Sequence, residues 1–175
     1  MEEMVVLVDE QDNELGVMEK MEAHKTGSLH RAFSVFIFNG NDELMLQRRA
    51  VHKYHSGGLW TNTCCSHPRP HEAVMAAGNR RLQEEMGITA PLEQVFSFIY
   101  RADLDNNLTE HELDHVLVGR TERQPVINPD EVDSWKYMSM QDVRAAIDLT
   151  PESFTEWFKI CFDQVEAHLT RLQAS

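Results

Sequence analysis

The run Ala32-Phe33-Ser34-Val35-Phe36-Ile37-Phe38 is β-branched and aromatic, and apolar almost throughout. A strand with one wet face would alternate, so this run predicts a strand buried on both faces. Asn39-Gly40-Asn41-Asp42 reads as a hairpin turn and residues 43–48 as the return strand. Met4–Val8 reads as a first strand, closed by a polar turn over residues 9–16, and residues 59–63 as another short strand. Residues 71–86 carry a helical pattern, with Pro70 suited to the first turn and Gly87 to the stop. Residues 92–100 and 108–119 predict two strands across the turn 103–107, and residues 134–138 a further strand. Ser139 begins a short helix through about Ile147, and Thr150-Pro151 opens a last one. That helix carries an apolar stripe of Phe154, Phe158, Cys161, Val165, Leu169 and Leu172. Strands interleaved with a few helices, hairpins prominent, predict an α/β (α+β) fold with a mixed sheet flanked by helices.

Length and charge narrow the function classes. At 175 residues, with no repeat, linker or low-complexity tract, the chain is expected to form a single domain over residues 1–175. Sixteen Lys+Arg against 29 Asp+Glu give a net charge of −13. Such a balance argues against nucleic acid or an anionic membrane surface as partner, while leaving room for one local basic pocket. Apolar runs such as Val5-Val6-Leu7-Val8 are strand-sized, far short of the ~20 residues a membrane span needs. Acidic residues stand where a secretory leader would carry cations. Three cysteines, two of them adjacent, do not form a secreted disulfide framework. A cytoplasmic protein with reduced thiols is expected.

The chemistry-bearing residues collect in three segments: His24 to His30, Trp60 to Pro68, and Glu110-His111-Glu112. Strand period two puts Glu110 and Glu112 on one face, roughly 6.6–6.8 Å apart along the backbone. If buried, such a pair needs a cation or one shared proton. Imidazoles from His24, His30 and His67 would complete a five-ligand N/O shell with one position open, suited to Mn²⁺ or Mg²⁺-like geometry or to Zn²⁺. The alternative is that the two glutamates form the wet face of an antiparallel strand. Cys65, two residues before His67, could have a lowered pKa and act as base or nucleophile. A structural zinc site on Cys64, Cys65 and His67 is the rival, although adjacent cysteines are poor zinc spacing. Cys64 also reads as a small buried hydrophobe, and Cys161 as core. Arg80 and Glu84, and Arg81 and Glu85, are i,i+4 pairs: ordinary helix salt bridges, or groups arrayed for a diphosphate and its Mg²⁺. Arg48, Arg49 and Lys53 add further cations.

Ser66-x₅-Glu72-x₇-Arg80-Arg81-Leu82-Gln83-Glu84-Glu85-Met86-Gly87-Ile88 resembles a degenerate Nudix box, Gx₅Ex₇REUxEExGU. Ser66 replaces its first Gly. Arg81 replaces the Glu after Arg, which removes an acid of the hydrolytic metal cluster. Within that superfamily the chain resembles the type I isopentenyl-diphosphate Δ-isomerases. The matches are His24…His30-x-Ala32-Phe33-Ser34, Gln47-Arg48-Arg49-Ala50, Trp60-Thr61-Asn62-Thr63-Cys64-Cys65-Ser66-His67-Pro68, Phe98-x-Tyr100-Arg101-Ala102, Glu110-x-Glu112 and Thr150-Pro151-x-x-Phe154-x-x-Trp157.

The resemblance implies a Nudix-like fold and a divalent metal (Mn²⁺, Mg²⁺ or Zn²⁺) on His24, His30, His67, Glu110 and Glu112. It implies a second ion, Mg²⁺ bound with substrate diphosphate, on Glu85 and the backbone carbonyl of Cys65. Diphosphate-contacting cations fall on Lys20, Arg49, Lys53 and Arg81. The implied reaction converts isopentenyl to dimethylallyl diphosphate through a tertiary carbocation. Glu112 lies on the C4 side and Cys65 on the C2 side; Tyr100 orients the proton and Trp157 faces the cation. His111, opposite in strand phase, is expected to point away. The implied partner is a small diphosphate, the implied assembly a monomer or weak homodimer. A Nudix-type hydrolase and a catalytically inactive metal-binding module are the rival functions.

Overall fold

Strand β3 (His30–Phe38) carries side chains into two cores. Phe33, Val35 and Ile37 pack with Met45, Leu82 and Met86 beneath helix α2 (Val74–Met86). Phe36 and Phe38 pack on the opposite face with Trp157, Phe158 and Cys161 of helix α4 (Glu156–Gln173). All five strand residues are at most 1% exposed, which is the double burial that the unbroken apolar run predicts. The computed structural model describes residues 3–173, with backbone alone for Leu172 and Gln173. Leu172 of the apolar stripe therefore lies outside the described side chains.

Among the described residues, nine strands join in one mixed sheet. Strand β1 (Met4–Val8) pairs antiparallel with β2 (Glu14–Glu19) and touches β3 at Leu7 and His30. Strand β8 (Thr109–Arg120) runs parallel to β3 from Glu112 beside His30 to Arg120 beside Phe38. Strand β7 (Leu92–Asp103) pairs antiparallel with β8. The hairpin from β3 to β4 (Glu43–Arg49) turns where expected, then splays, with Phe38 and Leu44 its single paired position. Strand β4 leaves to pair with β5 (Trp60–Thr61) and β9 (Val132–Ser139). Strand β6 (Cys64–Ser66) fills the place beside β3, with Cys65 opposite Ser34.

Side chains of residues 61–63 repair the split. The Thr63 hydroxyl accepts from the Ile37 N–H at 2.9 Å and donates to the Met45 carbonyl at 2.6 Å. The Asn62 amide donates to the carbonyls of Val35 and Cys64. The Thr61 hydroxyl donates to the Asn62 side-chain oxygen. Buried backbone polar groups that the splayed ladder leaves are thus paired by side chains. Threonine and asparagine stand there because apolar residues could not do this.

Several elements differ from the sequence expectation. Strand β2 lies within and beyond the supposed turn; its side chains are exposed or half-buried, so no apolar pattern marks it. Helix α1 (Lys20–Thr26) is too short to show periodicity, yet it is closed at both ends: Glu19 accepts from the Glu22 N–H, and Gly27 adopts φ 69°. Helix α2 starts at Val74, not at residue 71, because His71 sits at φ 67° and breaks the helix before it begins. The last helix starts at Glu156. Pro151–Ser153 form a 3₁₀ turn, Phe154 is extended, and the Thr155 N–H donates to the Trp60 carbonyl. Helix α3 (Met140–Leu149) opens as expected, with the Ser139 hydroxyl accepting from the Asp142 N–H. Among the described residues no helix is long and apolar enough to cross a membrane.

Candidate active site

His30 on β3, Tyr100 on β7 and Glu112 on β8 occupy one register level across three neighbouring strands. Glu110 lies two residues along β8 and shares that face. Glu110 and Glu112 are each 4% exposed, so they are not a wet strand face. Helix α1 brings His24 and β6 brings Cys65, while His67 follows directly after that strand. His111 points away as expected: its Nδ1 donates to the Gly27 carbonyl at 3.0 Å, tying the end of α1 to β8.

Two imidazoles are oriented by carbonyls behind them. His24 Nδ1 donates to Lys20 O at 2.7 Å, and His30 Nδ1 donates to Ser28 O at 2.8 Å. A carbonyl only accepts, so the proton sits on Nδ1 and each Nε2 turns its lone pair to the cluster in the neutral ring. His30 Nε2 and His67 Nε2 stand 3.0 and 2.7 Å from one oxygen of Glu112. His24 Nε2 stands 3.6 Å from Glu110 Oε1 and makes no hydrogen bond. Tyr100 Oη lies 2.5 Å from an oxygen of each glutamate, so a single hydroxyl proton serves both.

Burial pulls the His67 pKa down to about 4, against the pull of Glu112. Burial opposes charge on His30 as well, but its hydrogen bond to Glu112 wins and raises it. Burial pushes both glutamates up, yet their histidine neighbours hold them below the usual carboxylate range. Tyr100 is driven well up by burial and the two carboxylates.

These donors suit a divalent ion. The ligating atoms of His24, His30, His67 and Glu112 lie within 4.8 Å of one another. Those of His24, His55 and Glu110 form a second set of the same span. The buried His24 Nε2, without a hydrogen-bond partner, is the kind of orphan that a cation relieves.

A cleft opens onto this cluster. Lys20, Arg49, Lys53, Cys65, His67, Arg81, Glu110, Glu112 and Trp157 all line it. Each cation already has a partner: Lys20 with Glu3, Lys53 with Glu131, Arg81 with Glu84, Glu85 and Glu131. Arg49 Nη2 donates to the His55 carbonyl, and its guanidinium lies 5.3 Å from the Trp157 ring centroid. Arg80 pairs with Glu84 at i,i+4 but also with Glu72. Glu85 stands behind the cleft wall. It accepts from Gln47 Nε2 and Cys64 Sγ and is not among the lining residues.

The two adjacent thiols part company. Cys64 packs in the core under α2, Cys65 against the core of Trp157. Successive strand residues face opposite ways, which excludes a shared zinc site. Cys161 is core, as expected. The expectation of a lowered pKa at Cys65 is not met: burial pushes the thiol up, and Arg49 only partly offsets it.

Asp114, Tyr54, His55 and Glu131 line the site and were not anticipated. Asp114 is buried, accepts from Ser34 Oγ at 2.8 Å, and is pushed up by burial and Glu112. It continues the Glu110, Glu112 alternation, so period two could have found it. Tyr54, His55 and Glu131 come from irregular segments without periodicity.

The NUDIX domain family matches residues 28–158. Isopentenyl-diphosphate Delta-isomerase from Pectobacterium atrosepticum is 55% identical over 161 residues, covering 92% of this chain and 90% of that protein. The chain belongs to the isopentenyl-diphosphate Delta-isomerase family. A second relative, isopentenyl-diphosphate Delta-isomerase 2 from Aromatoleum aromaticum, is 51% identical over 165 residues, covering 94% of this chain and 87% of that one. Among solved structures, a MutT NUDIX hydrolase from Burkholderia pseudomallei superposes with a TM-score of 0.63 at 18% identity, covering 79% of this chain and 98% of that chain. A MutT protein from Methanosarcina mazei reaches 0.66 at 17% identity, covering 80% and 94%. The chain thus has the Nudix fold.

Proposed function

We propose that this chain interconverts isopentenyl diphosphate and dimethylallyl diphosphate. The observation that carries the reading is one cleft lined by a buried carboxylate, a half-buried thiol, an indole and four cations: Glu112, Cys65, Trp157, Lys20, Arg49, Lys53 and Arg81. Lys20, Lys53 and Arg81 grip the diphosphate by exchanging their present carboxylate partners for its oxygens, and Arg49 adds a fourth charge. Glu112, ionised at rest, takes up a proton through the Tyr100 hydroxyl that bonds it and delivers that proton to C4. The alkene π bond supplies the electrons and C3 becomes a tertiary carbocation. The Trp157 face attracts that cation, by about 2 kcal/mol in a desolvated site. Cys65, as the thiolate after giving up its own proton on substrate binding, then takes a proton from C2, and the C2–H electrons form the new double bond. Arg49 Nη1, 4.0 Å from Cys65 Sγ, is the charge that favours the thiolate. The buried walls keep out water, which would quench the cation.

His24, His30, His67, Glu110 and Glu112 are the residues to hold a Mn²⁺, Mg²⁺ or Zn²⁺ ion. Such an ion supplies the positive charge that lets two buried carboxylates coexist and sharpens the acidity of the proton source. Glu85 and the Cys65 carbonyl are the groups to meet Mg²⁺ arriving with the diphosphate. The enzyme works in the cytoplasm, in isoprenoid biosynthesis, as a monomer or weak homodimer.

The test is incubation of isopentenyl diphosphate with protein and Mg²⁺ in D₂O, followed by NMR of the product. Dimethylallyl diphosphate carrying deuterium on the C4 methyl, without released phosphate, is the expected result. Phosphate release without a double-bond shift would replace this reading by the hydrolase one.

A further inference from the structure

Five ligands fall one short of an octahedron, and the structure sets a fourth imidazole, that of His55, beside Glu110. We propose that His55 is a sixth protein ligand of the divalent ion, which makes the site His₄Glu₂ and closes it to water. The inference rests on the five-ligand reading above.

His55 lies in the loop between β4 and β5 and is 1% exposed. Its Nε2 stands 3.0 Å from Glu110 Oε1, closer than His24 does, yet without hydrogen-bond geometry. A buried histidine that served only as core would have a partner for that nitrogen. His24 Nε2 is left in the same condition. Both orphan nitrogens and Glu110 form one donor set within 4.8 Å, and His24 joins it to the set of His30, His67 and Glu112. An octahedron with bonds of about 2.1 Å places opposite donors about 4.2 Å apart, so the two sets, joined through His24, must draw together around the ion to form one shell.

The loop fixes the ring from several sides. His55 Nδ1 lies 3.1 Å from Ser56 Oγ, and the His55 carbonyl accepts from Arg49 Nη2 at 3.2 Å. The Ser56 N–H donates to Asp105 Oδ1, with Ser56 itself at φ 54°. Tyr54 and Trp157 meet the ring edge-on at 4.3 and 5.8 Å. Such a ring points Nε2 at the cluster without further ordering, which is the preorganisation a ligand needs. A water-free coordination shell also suits chemistry that passes through a carbocation.

The rival role is that of a neighbour that merely hydrogen-bonds Glu110. Losing such a neighbour also costs about 10–100-fold in metal affinity, so affinity alone does not separate the two. Water on the ion does. The protein is stripped with chelator and reloaded with Mn²⁺. Mn²⁺ affinity and water-proton relaxivity are then read for wild type, His55→Ala, His55→Asn and His67→Asn, with the melting temperature of each apoprotein as the check on folding. Low relaxivity in wild type, with raised relaxivity and about 10–100-fold weaker binding in His55→Ala, is expected, because water enters the vacated position. His55→Asn, which cannot reach the ion, gives the same rise and serves if the alanine variant fails to fold. Relaxivity unchanged from wild type in both His55 variants, while His67→Asn loses Mn²⁺, overturns the sixth ligand alone. Full Mn²⁺ retention in His67→Asn overturns the five-ligand set and this inference with it.

Discussion

Replacing Thr63 with valine removes one oxygen from a buried position and leaves the shape nearly unchanged. Thr63 is fully buried, and its hydroxyl spans the gap between the splayed strands β3 and β4. Valine leaves the Ile37 N–H without that acceptor, at a cost of about 1–3 kcal/mol for a buried donor. The Met45 carbonyl loses a donor as well, worth about 0.5–1.5 kcal/mol. The sum, roughly 1.5–4.5 kcal/mol, is a large part of the stability of an ordinary domain. Urea unfolding of the apoprotein measures it, with an unchanged m-value as the sign that the native and unfolded states keep their exposed surface. The same substitution loosens the segment that carries Cys65 and His67, so kcat should fall without phosphate release. A stability loss below about 0.5 kcal/mol, less than a single ordinary hydrogen bond, would show that the split needs no side-chain bridge.

The proposed base is separable from the metal site: Cys65→Ala should abolish isomerisation and leave metal content near wild type. Wild-type turnover in Cys65→Ala, with loss in Cys64→Ala, would transfer the role to the other thiol. Arg81→Glu should raise KM for isopentenyl diphosphate at least tenfold, since a charge-assisted hydrogen bond is worth ~1.5–3 kcal/mol. It should also lower the melting temperature, because a carboxylate would then face Glu84, Glu85 and Glu131. An unchanged KM would reduce Arg81 to a structural partner of those acids, and efficient phosphate release would favour the hydrolase.

The sequence by itself determined what depends on local pattern. The unbroken apolar run of β3 specified burial on both faces, since neither side could be left in water. Period two put Glu110 and Glu112 on one face of β8, and would have added Asp114 had it been carried one step further. Gly87 ended α2 as read, at φ 67°, and Cys161 fell in the core. The Trp60-to-Pro68 segment identified the family from sequence, but its physical meaning came from the fold: Asn62 and Thr63 pair the backbone of strands that have separated. No local pattern announces that separation, because it follows from β4 taking β9 as partner across more than eighty residues of chain. Helix α1 was illegible for a similar reason. Seven residues carry too little periodicity, and the helix is held in place by its caps and by His111 reaching from β8. The helix α2 start moved because a positive φ at His71 is a property of the turn around it, not of histidine. His55, Tyr54 and Glu131 reach the cleft from irregular chain, where nothing repeats and only the packing of distant strands decides which side chains meet. Local pattern thus fixed which faces are apolar and which acids share a side. Tertiary structure decided which loops close on them, because loop side chains are placed by long-range contacts that leave no period in the sequence.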